Sequence, residues 1–472
     1  MEHFTFYRAL GLSGPAVVSA YGAGGKTTIL QKLASEIAAR NEKALLTTTT
    51  KMYRPPELPL FCEPDLDRAA GSLQKHFGTN KLAVLGNSIL SDGKIEGIKP
   101  SWVEFLRDKL QVSVLVEADG AKRKSLKGYA SHEPVLPASS DYIIAVLGGD
   151  ALGKKISFAN THRLELFLKN TGTREGGEVN ETVFAGAYQY MLEIGLAQAP
   201  RASVFFVINK GDLIASPGPS ALRVAGLIKN TALKSRPERL LVTEGRDSHP
   251  VKITLNLKTP RSPVLVSCIV LAAGASLRMG RDKLKLAAGN KNLLEHTVSK
   301  VLASGIRDLV IVTSPGKADS IRPFESKRNK GLNIKYVENP YFKEGMSTSL
   351  KAGLEAVDLD SQGAIFALAD QPHLPARIYN LICRAYMDNL ALVTCPVYRG
   401  HRGNPALFDR RIWPVVMRMT GDQGGRAVFR MIKKEEVNYV KVKTPAVLLD
   451  IDSPEDYLLY LDNFSGIDPD HT

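Results

Sequence analysis

Apolar residues in this chain come in short buried-looking runs, each closed by a polar, glycine-containing loop and followed by a stretch with helical spacing. PAVVSAYG (15–22) leads into KTTILQKLASEIAAR (26–40), whose apolar positions recur every three or four residues. KALLTTTT (43–50), VSVLVEADG (112–120), DYIIAVLGG (141–149) and ASVFFVINKGD (202–212) read as further buried strands ending in polar loops. Runs without strict alternation suit strands covered on both faces, so the pattern predicts an α/β fold built on parallel sheet. The charged, proline-containing stretch 244–263, EGRDSHPVKITLNLKTPRSP, lacks helical periodicity, and a domain boundary is placed near 260. It predicts two domains, 1–258 and 259–472. Beyond it a second series begins: VLVSCIVLAAG, DLVIVTSPG, LNIKYVENP, GAIFALADQP, LVTCPVYRG and PAVLLDIDSPEDY.

The chain of 472 residues is long enough for such domains to bury separate cores. Its four cysteines form no CxxC pair and no zinc-type cluster with histidine, so no disulfide framework or structural zinc is expected. The N-terminus MEHFTFYRALGLSGP does not follow a signal-peptide pattern, and no apolar run approaches the roughly 20 residues of a membrane span. These features predict a cytoplasmic protein without a membrane partner. A net charge of +14 raises the question of nucleic acid, but the basic residues are dispersed and no aromatic RNA-binding signature accompanies them. Anionic small-molecule substrates explain the excess better, and no nucleic-acid partner is expected.

Two glycine loops carry the chemistry. In SAYGAGGKTT, Gly25-Lys26-Thr27 forms the GK[ST] end of a P-loop, with Ala20 where the usual pattern has its first glycine. A dinucleotide-binding GxGxxG fails here, because Gly22 and Gly24 are followed by Thr27 in place of the third glycine. Gly22, Gly24, Gly25, Lys26, Thr27 and Thr28 are therefore expected to cradle the phosphates of GTP or ATP. Lys26 would reach the β/γ-phosphates, Thr27 would ligate Mg²⁺, and Asp119 at the end of VLVEADG would support the metal. Glu117 lies two residues before it on the same strand face. The run Asn209-Lys210-Gly211-Asp212 matches an NKxD base-reading pattern, in which Asp212 would accept hydrogen bonds from guanine.

The second loop, LAAGASLRMGRDK (271–283), suits the triphosphate of a nucleotidyltransferase substrate. Leu271, Ala272, Ala273 and Gly274 would bring the backbone close to the nucleotide, and Ser276 would donate to phosphate oxygen. Arg278 and Lys283 would neutralise charge on the departing pyrophosphate. Asp370, after the apolar run IFALA, is placed to hold Mg²⁺ at a strand end, and Asp452 to complete that site. Asp450 and Asp452 are expected on one strand face, and the competing use of Asp452 is at the helix start SPED.

Roughly residues 10–250 resemble the selenium-dependent hydroxylase accessory family, through GAGGKTT, LLTTTTKMY, VEADGAKRKSLKGYASHEPV and NKGD. That resemblance implies a link to maturation of an apo molybdenum hydroxylase, and places Thr47–Lys51 and His132-Glu133 near the nucleotide. Residues 264–460 resemble the molybdenum cofactor cytidylyltransferase branch of the MobA-like nucleotidyltransferases. The resemblance rests on LAAGASLRMGRDK, NPYFKEGMSTSL, ALADQPHL, PVYRGHRGNPALF, GDQGGRAV and DIDSPEDY. It implies a Rossmann-like α/β domain that moves CMP from CTP to molybdopterin, with Ala273 in LAAG favouring CTP over GTP. It further implies that Gly345, Ser347 and Ser349 line the nucleotide or pterin site, and that Gly403-Asn404-Pro405 and Gly421–Gly425 shape its pterin side. Two other readings stay open: a nucleotide-switched maturation factor in the first half, and a sugar or polyol phosphate as the acceptor of the second.

Overall fold

The computed structural model describes residues 2–233, 235–259, 262–274, 283–317 and 332–464. The chain divides into two compact units, Glu2–Pro263 and Val264 onward. Counting only the strands of the two main sheets, the first unit has β1 (Val17–Gly22), β2 (Ala44–Thr48), β3 (Leu60–Cys62), β4 (Leu82–Gly86), β5 (Ser113–Glu117), β6 (Tyr142–Gly148), β7 (Ser203–Asn209), β8 (Arg239–Thr243) and β9 (Val251–Asn256). Their order across the sheet is β9-β8-β7-β6-β1-β5-β2-β4-β3. All neighbours are parallel except β8 and β9.

Period-two alternation splits each wholly apolar strand between two cores. Val18, Leu46, Leu115 and Ile144 pack with Ile29, Leu30, Leu33 and Ile37 of the helix Lys26–Ala39 on one face. Val17, Leu45, Val114 and Val116 pack on the other with Leu73 and Leu106, from the helices Leu66–His76 and Trp102–Leu110. Central β1 is therefore buried along its whole length, and its C-terminal end opens directly into the first glycine loop.

Part of the stretch 244–263 is regular structure of the first unit. Residues 251–256 form edge strand β9, antiparallel to β8, with Leu240 opposite Leu255. VKITLN carries the alternation of a half-covered strand, which charge and proline in the flanks obscured.

In the second unit the strands are β10 (Leu265–Ala272), β11 (Asp308–Thr313), β12 (Asn333–Glu338), β13 (Ser361–Leu368), β14 (Val393–Tyr398), β15 (His401–Arg402), β16 (Ala406–Asp409) and β17 (Val437–Lys441). The order is β12-β11-β10-β13-β16-β14-β15, with β17 also paired to β14. β10 is flanked by parallel β11 and β13, and β16 then joins β13 antiparallel. The helix Met346–Ala356 approaches this sheet at Gly353, where a Cβ would lie 2.4 Å from Ile269 Cγ2. LLDID does not form the expected strand: the turn Pro445–Leu448 is followed by irregular backbone up to the helix Pro454–Phe464. Ile451 N–H bonds to the Asp370 carbonyl at 3.0 Å, so this segment is docked on a loop and joins no ladder.

Candidate functional site

In the first unit, Lys26 is buried at the start of its helix, behind Gly25 at φ +123°. Its Nζ donates to Gly22 O at 2.7 Å and lies 3.1 Å from Asp119 Oδ1. Asp119 also accepts from Gly22 N–H and from Lys127 Nζ at 2.8 Å, and Lys127 continues to Glu133 at 3.1 Å. Arg163 pairs with Glu133 at the end of this chain of alternating charges. Removing one member would leave an uncompensated buried charge, typically costing about 3–5 kcal/mol.

Thr27 has a different partner from the one expected. Its hydroxyl donates to Glu117 Oε2 at 2.5 Å, whereas Asp119 is committed to Lys26, Lys127 and the backbone. Burial raises the pKa of Glu117, against the opposing charge of Lys26. The TTTT motif closes on the same strand end: Thr48 Oγ1 donates to the Glu117 carbonyl at 2.6 Å and Thr49 Oγ1 to Val135 O at 2.6 Å. His132 is exposed, while its neighbour Glu133 belongs to the ion-pair chain. Asn209 is a brace: Nδ2 donates to Gly24 O at 2.8 Å, and Oδ1 accepts from Thr243 Oγ1 and Gly245 N–H. Thr28 lies beneath Gly245, Lys210 pairs with Asp150 at 2.9 Å, and Asp212 is exposed in the turn Gly211–Leu213.

In the second unit, the segment Leu271–Gly274 ends β10 with Ala272 and Ala273 buried and Gly274 exposed. Ser276 and Arg278 lie outside the described residues. Lys283, Asp370 and Asp452, distant in sequence, converge: Lys283 Nζ is 2.7 Å from Asp370 Oδ2, 2.7 Å from Asp452 Oδ1 and 2.9 Å from the Ile451 carbonyl. Ala369 N–H bonds to Leu271 O at 3.2 Å, which seats the Asp370 loop against the end of β10. Burial disfavours the charge on Lys283, but the two carboxylates outweigh it and raise its pKa. Asp450 joins the cluster through Gln371 Nε2 at 2.5 Å, and burial followed by the charge of Asp370 raises its pKa. The helix start after Asp452 is capped by Ser453 and Asp456, which exchange hydrogen bonds at 2.8 and 3.2 Å.

Gly345, at φ +113°, begins the helix that carries Ser347 and Ser349, and both serines are buried. A Cβ on Gly345 would lie 2.3 Å from the Gly421 carbonyl carbon. Met346 N–H bonds to Asp422 Oδ1 at 3.2 Å, joining GDQGG to this helix. Among the described residues the buried Ser347 hydroxyl has no partner, and Ser349 Oγ accepts from Asn339 at 3.0 Å. Gly403 meets the Val447 carbonyl, and Asn404-Pro405 is a cis peptide.

Sequence reasoning missed the structural weight of Lys127 and Arg163 and the pairing of Thr27 with Glu117. The Glu117 signal was available, because this residue ends β5 while Asp119 lies beyond it. Nothing in local spacing marks Lys127 as a buried counter-ion.

Residues 18–165 match the family described as YqeC protein, and residues 268–437 match the MobA-like NTP transferase domain. The chain joins a YqeC domain to a MobA-like NTP transferase domain. An uncharacterized protein YqeC from Escherichia coli (strain K12) is 37% identical over 162 residues, covering 34% of this chain. The chain spans 61% of the length of that relative. The molybdenum cofactor cytidylyltransferase of the same organism is 25% identical, over 43% of this chain and 98% of that protein. The crystal structure of Rv0371c from Mycobacterium tuberculosis H37Rv is 24% identical, covers 42% of this chain and 98% of its own, and has a TM-score of 0.36. The MobA-like part is thus a nucleotidyltransferase-family domain related to molybdenum cofactor cytidylyltransferase. Among the described residues no helix is long and apolar enough to cross a membrane.

Proposed function

We propose that the second unit transfers CMP from CTP to the terminal phosphate of molybdopterin, as free or metal-loaded cofactor, with release of pyrophosphate. The observation that carries this reading is the convergence of Lys283, Asp370 and Asp452 beside the glycine loop at the end of β10. An acceptor phosphate oxygen forms a bond to the α-phosphorus of CTP as the α–β bridging bond breaks, and the electron pair leaves with pyrophosphate. The acceptor is already ionised near neutral pH, so no general base is required. Lys283, joined by Arg278 and Ser276 of the loop, holds the leaving phosphates; Gly345, Ser347 and Ser349 position the nucleotide or pterin.

Among the described residues there is no cluster of three or more typical metal ligands. Two carboxylates nevertheless share one cation, and Asp370 Oδ1 is buried without a partner among the described residues, a donor set suited to a hard ion completed by phosphate oxygens. Asp370 and Asp452 would hold Mg²⁺, which supplies charge neutralisation at the α- and β-phosphates.

The first unit, on the same reading, binds GTP or ATP through Gly22–Thr28 and assists maturation of an apo molybdenum hydroxylase. Its support is the brace from Asn209 to the glycine loop, which brings NKGD and GAGGKTT together. Thr27 with Glu117 is the better pair for a metal there, because Asp119 is held by two lysines.

Pyrophosphate release with molybdenum cofactor and Mg²⁺ tests the transferase, comparing CTP, GTP and ATP. Release is expected with CTP, and Asp370→Asn should lower it by about a hundredfold or more. GTP preference would move the activity to guanylyl transfer. Release with sugar phosphates but not the pterin would replace the acceptor.

A further inference from the structure

The KRK cluster at 122–124 has no role in the function proposed so far. It lies in the loop that leaves β5 just past Asp119, and its backbone is unusual: Lys122 and Arg123 have φ of +47° and +60°. Two successive non-glycine residues in the left-handed region cost roughly 1–3 kcal/mol each. Surrounding hydrogen bonds hold the conformation in place. Lys124 O accepts from Gly24 N–H at 2.9 Å, and Ser125 O accepts from Gly148 N–H at 2.9 Å, so the strained loop is tied to the glycine loop and to the end of β6.

Beside it is a cavity of about 410 Å³. Arg123 and Lys124 line one part, and Lys154 and Lys155, from the segment after β6, line another. Asp150 is the one carboxylate in the lining, and it already accepts from Ser125 Oγ at 2.6 Å and Lys210 Nζ at 2.9 Å. Four basic residues therefore line a small space whose single carboxylate is already engaged; Lys124 Nζ donates to Ala159 O at 2.9 Å and the Arg123 guanidinium lies over the Tyr53 ring, so Lys154 and Lys155 supply its unengaged charge among the bonds described. A volume of this size takes a metabolite, and a lining so cationic calls for phosphate.

We propose that this cavity binds a second small molecule bearing a phosphate monoester, next to the glycine loop, making the first unit a two-ligand site and not a nucleotide switch alone. The word "second" rests on the glycine-loop nucleotide reading; the cavity itself can be tested without nucleotide. Equilibrium dialysis of radiolabelled inorganic phosphate against the full chain, at low ionic strength without Mg²⁺, compares wild type, Lys154→Ala/Lys155→Ala and Lys154→Arg/Lys155→Arg. Lys154 and Lys155 are exposed, so these variants keep the fold. The expected result is a loss of one phosphate equivalent, or at least tenfold weaker binding, in the alanine pair. The arginine pair should retain binding. Binding that is absent in wild type, or unchanged in the alanine pair, overturns the proposal. Separate titration of wild type and Thr27→Ala with GTP and ATP in the presence of Mg²⁺ reports on the nucleotide reading: undiminished affinity in the variant would sink that reading and leave the cavity result standing.

Discussion

Lys283 shows what one residue can gain from its surroundings. Alone it is a basic residue in a loop; in the fold it sits between two carboxylates and a carbonyl. Glu36 shows the opposite case, a carboxylate placed at a cost. One oxygen accepts from Tyr7 N–H at 2.9 Å and the other is buried without a partner. Burial, only partly offset by that bond and by Lys32, pushes its pKa from 4.5 up to about 7. A raised pKa means that the folded state holds the proton more tightly. The stabilising contribution is present below the unfolded value and is lost as pH rises through about 7. Glu36→Gln should therefore stabilise the first unit by about 1–3 kcal/mol near pH 8 and change little near pH 4. Urea unfolding at the two pH values checks this, and equal effects at both would contradict it.

At the scale of elements, the clearest lesson lies where helices and loops meet. The helix Met346–Ala356 can start only because Gly345 takes φ +113° and leaves room for the backbone of Gly421 and Asp422. Gly345→Ala should destabilise the second unit by about 2–4 kcal/mol, since the obstructing atoms are backbone and cannot swing away. Unfolding would show this directly; a variant as stable as wild type would mean that the GDQGG segment yields easily. Strands were legible in several places where an apolar run leads into a glycine-containing polar loop, as in β1, β5, β6, β7 and β10. β3, β4, β8, β9, β15, β16 and β17 were missed, and LLDID was misread as a strand. For β9 and LLDID the reason is that edge pairing and loop docking depend on neighbours that local alternation does not contain.

Across the whole molecule, two α/β units each place a glycine loop at the carboxyl end of a central parallel strand, where such sheets bind ligands. If each unit has its own step, damage should separate cleanly. Thr27→Ala, which spares the buried ion pairs around Lys26, should reduce activation of a molybdenum hydroxylase and leave pyrophosphate release intact. Asp370→Asn should do the reverse for release. Paired assays of the two variants decide it, and loss of both activities in each would refute the separation.

What the sequence by itself determined is the set of local devices: strand, glycine loop and helix in order, twice, with lysine, threonine or aspartate at strand ends. These are legible because turn chemistry and hydrophobic period are encoded within a few residues. Only the tertiary structure decided which charges meet. Lys283 finds carboxylates 87 and 169 residues away, and Asp119 is neutralised by Lys26 and Lys127, leaving Glu117 beside Thr27. Strand order and loop docking set those distances, and electrostatic partnership depends on distance in space, not on spacing along the chain.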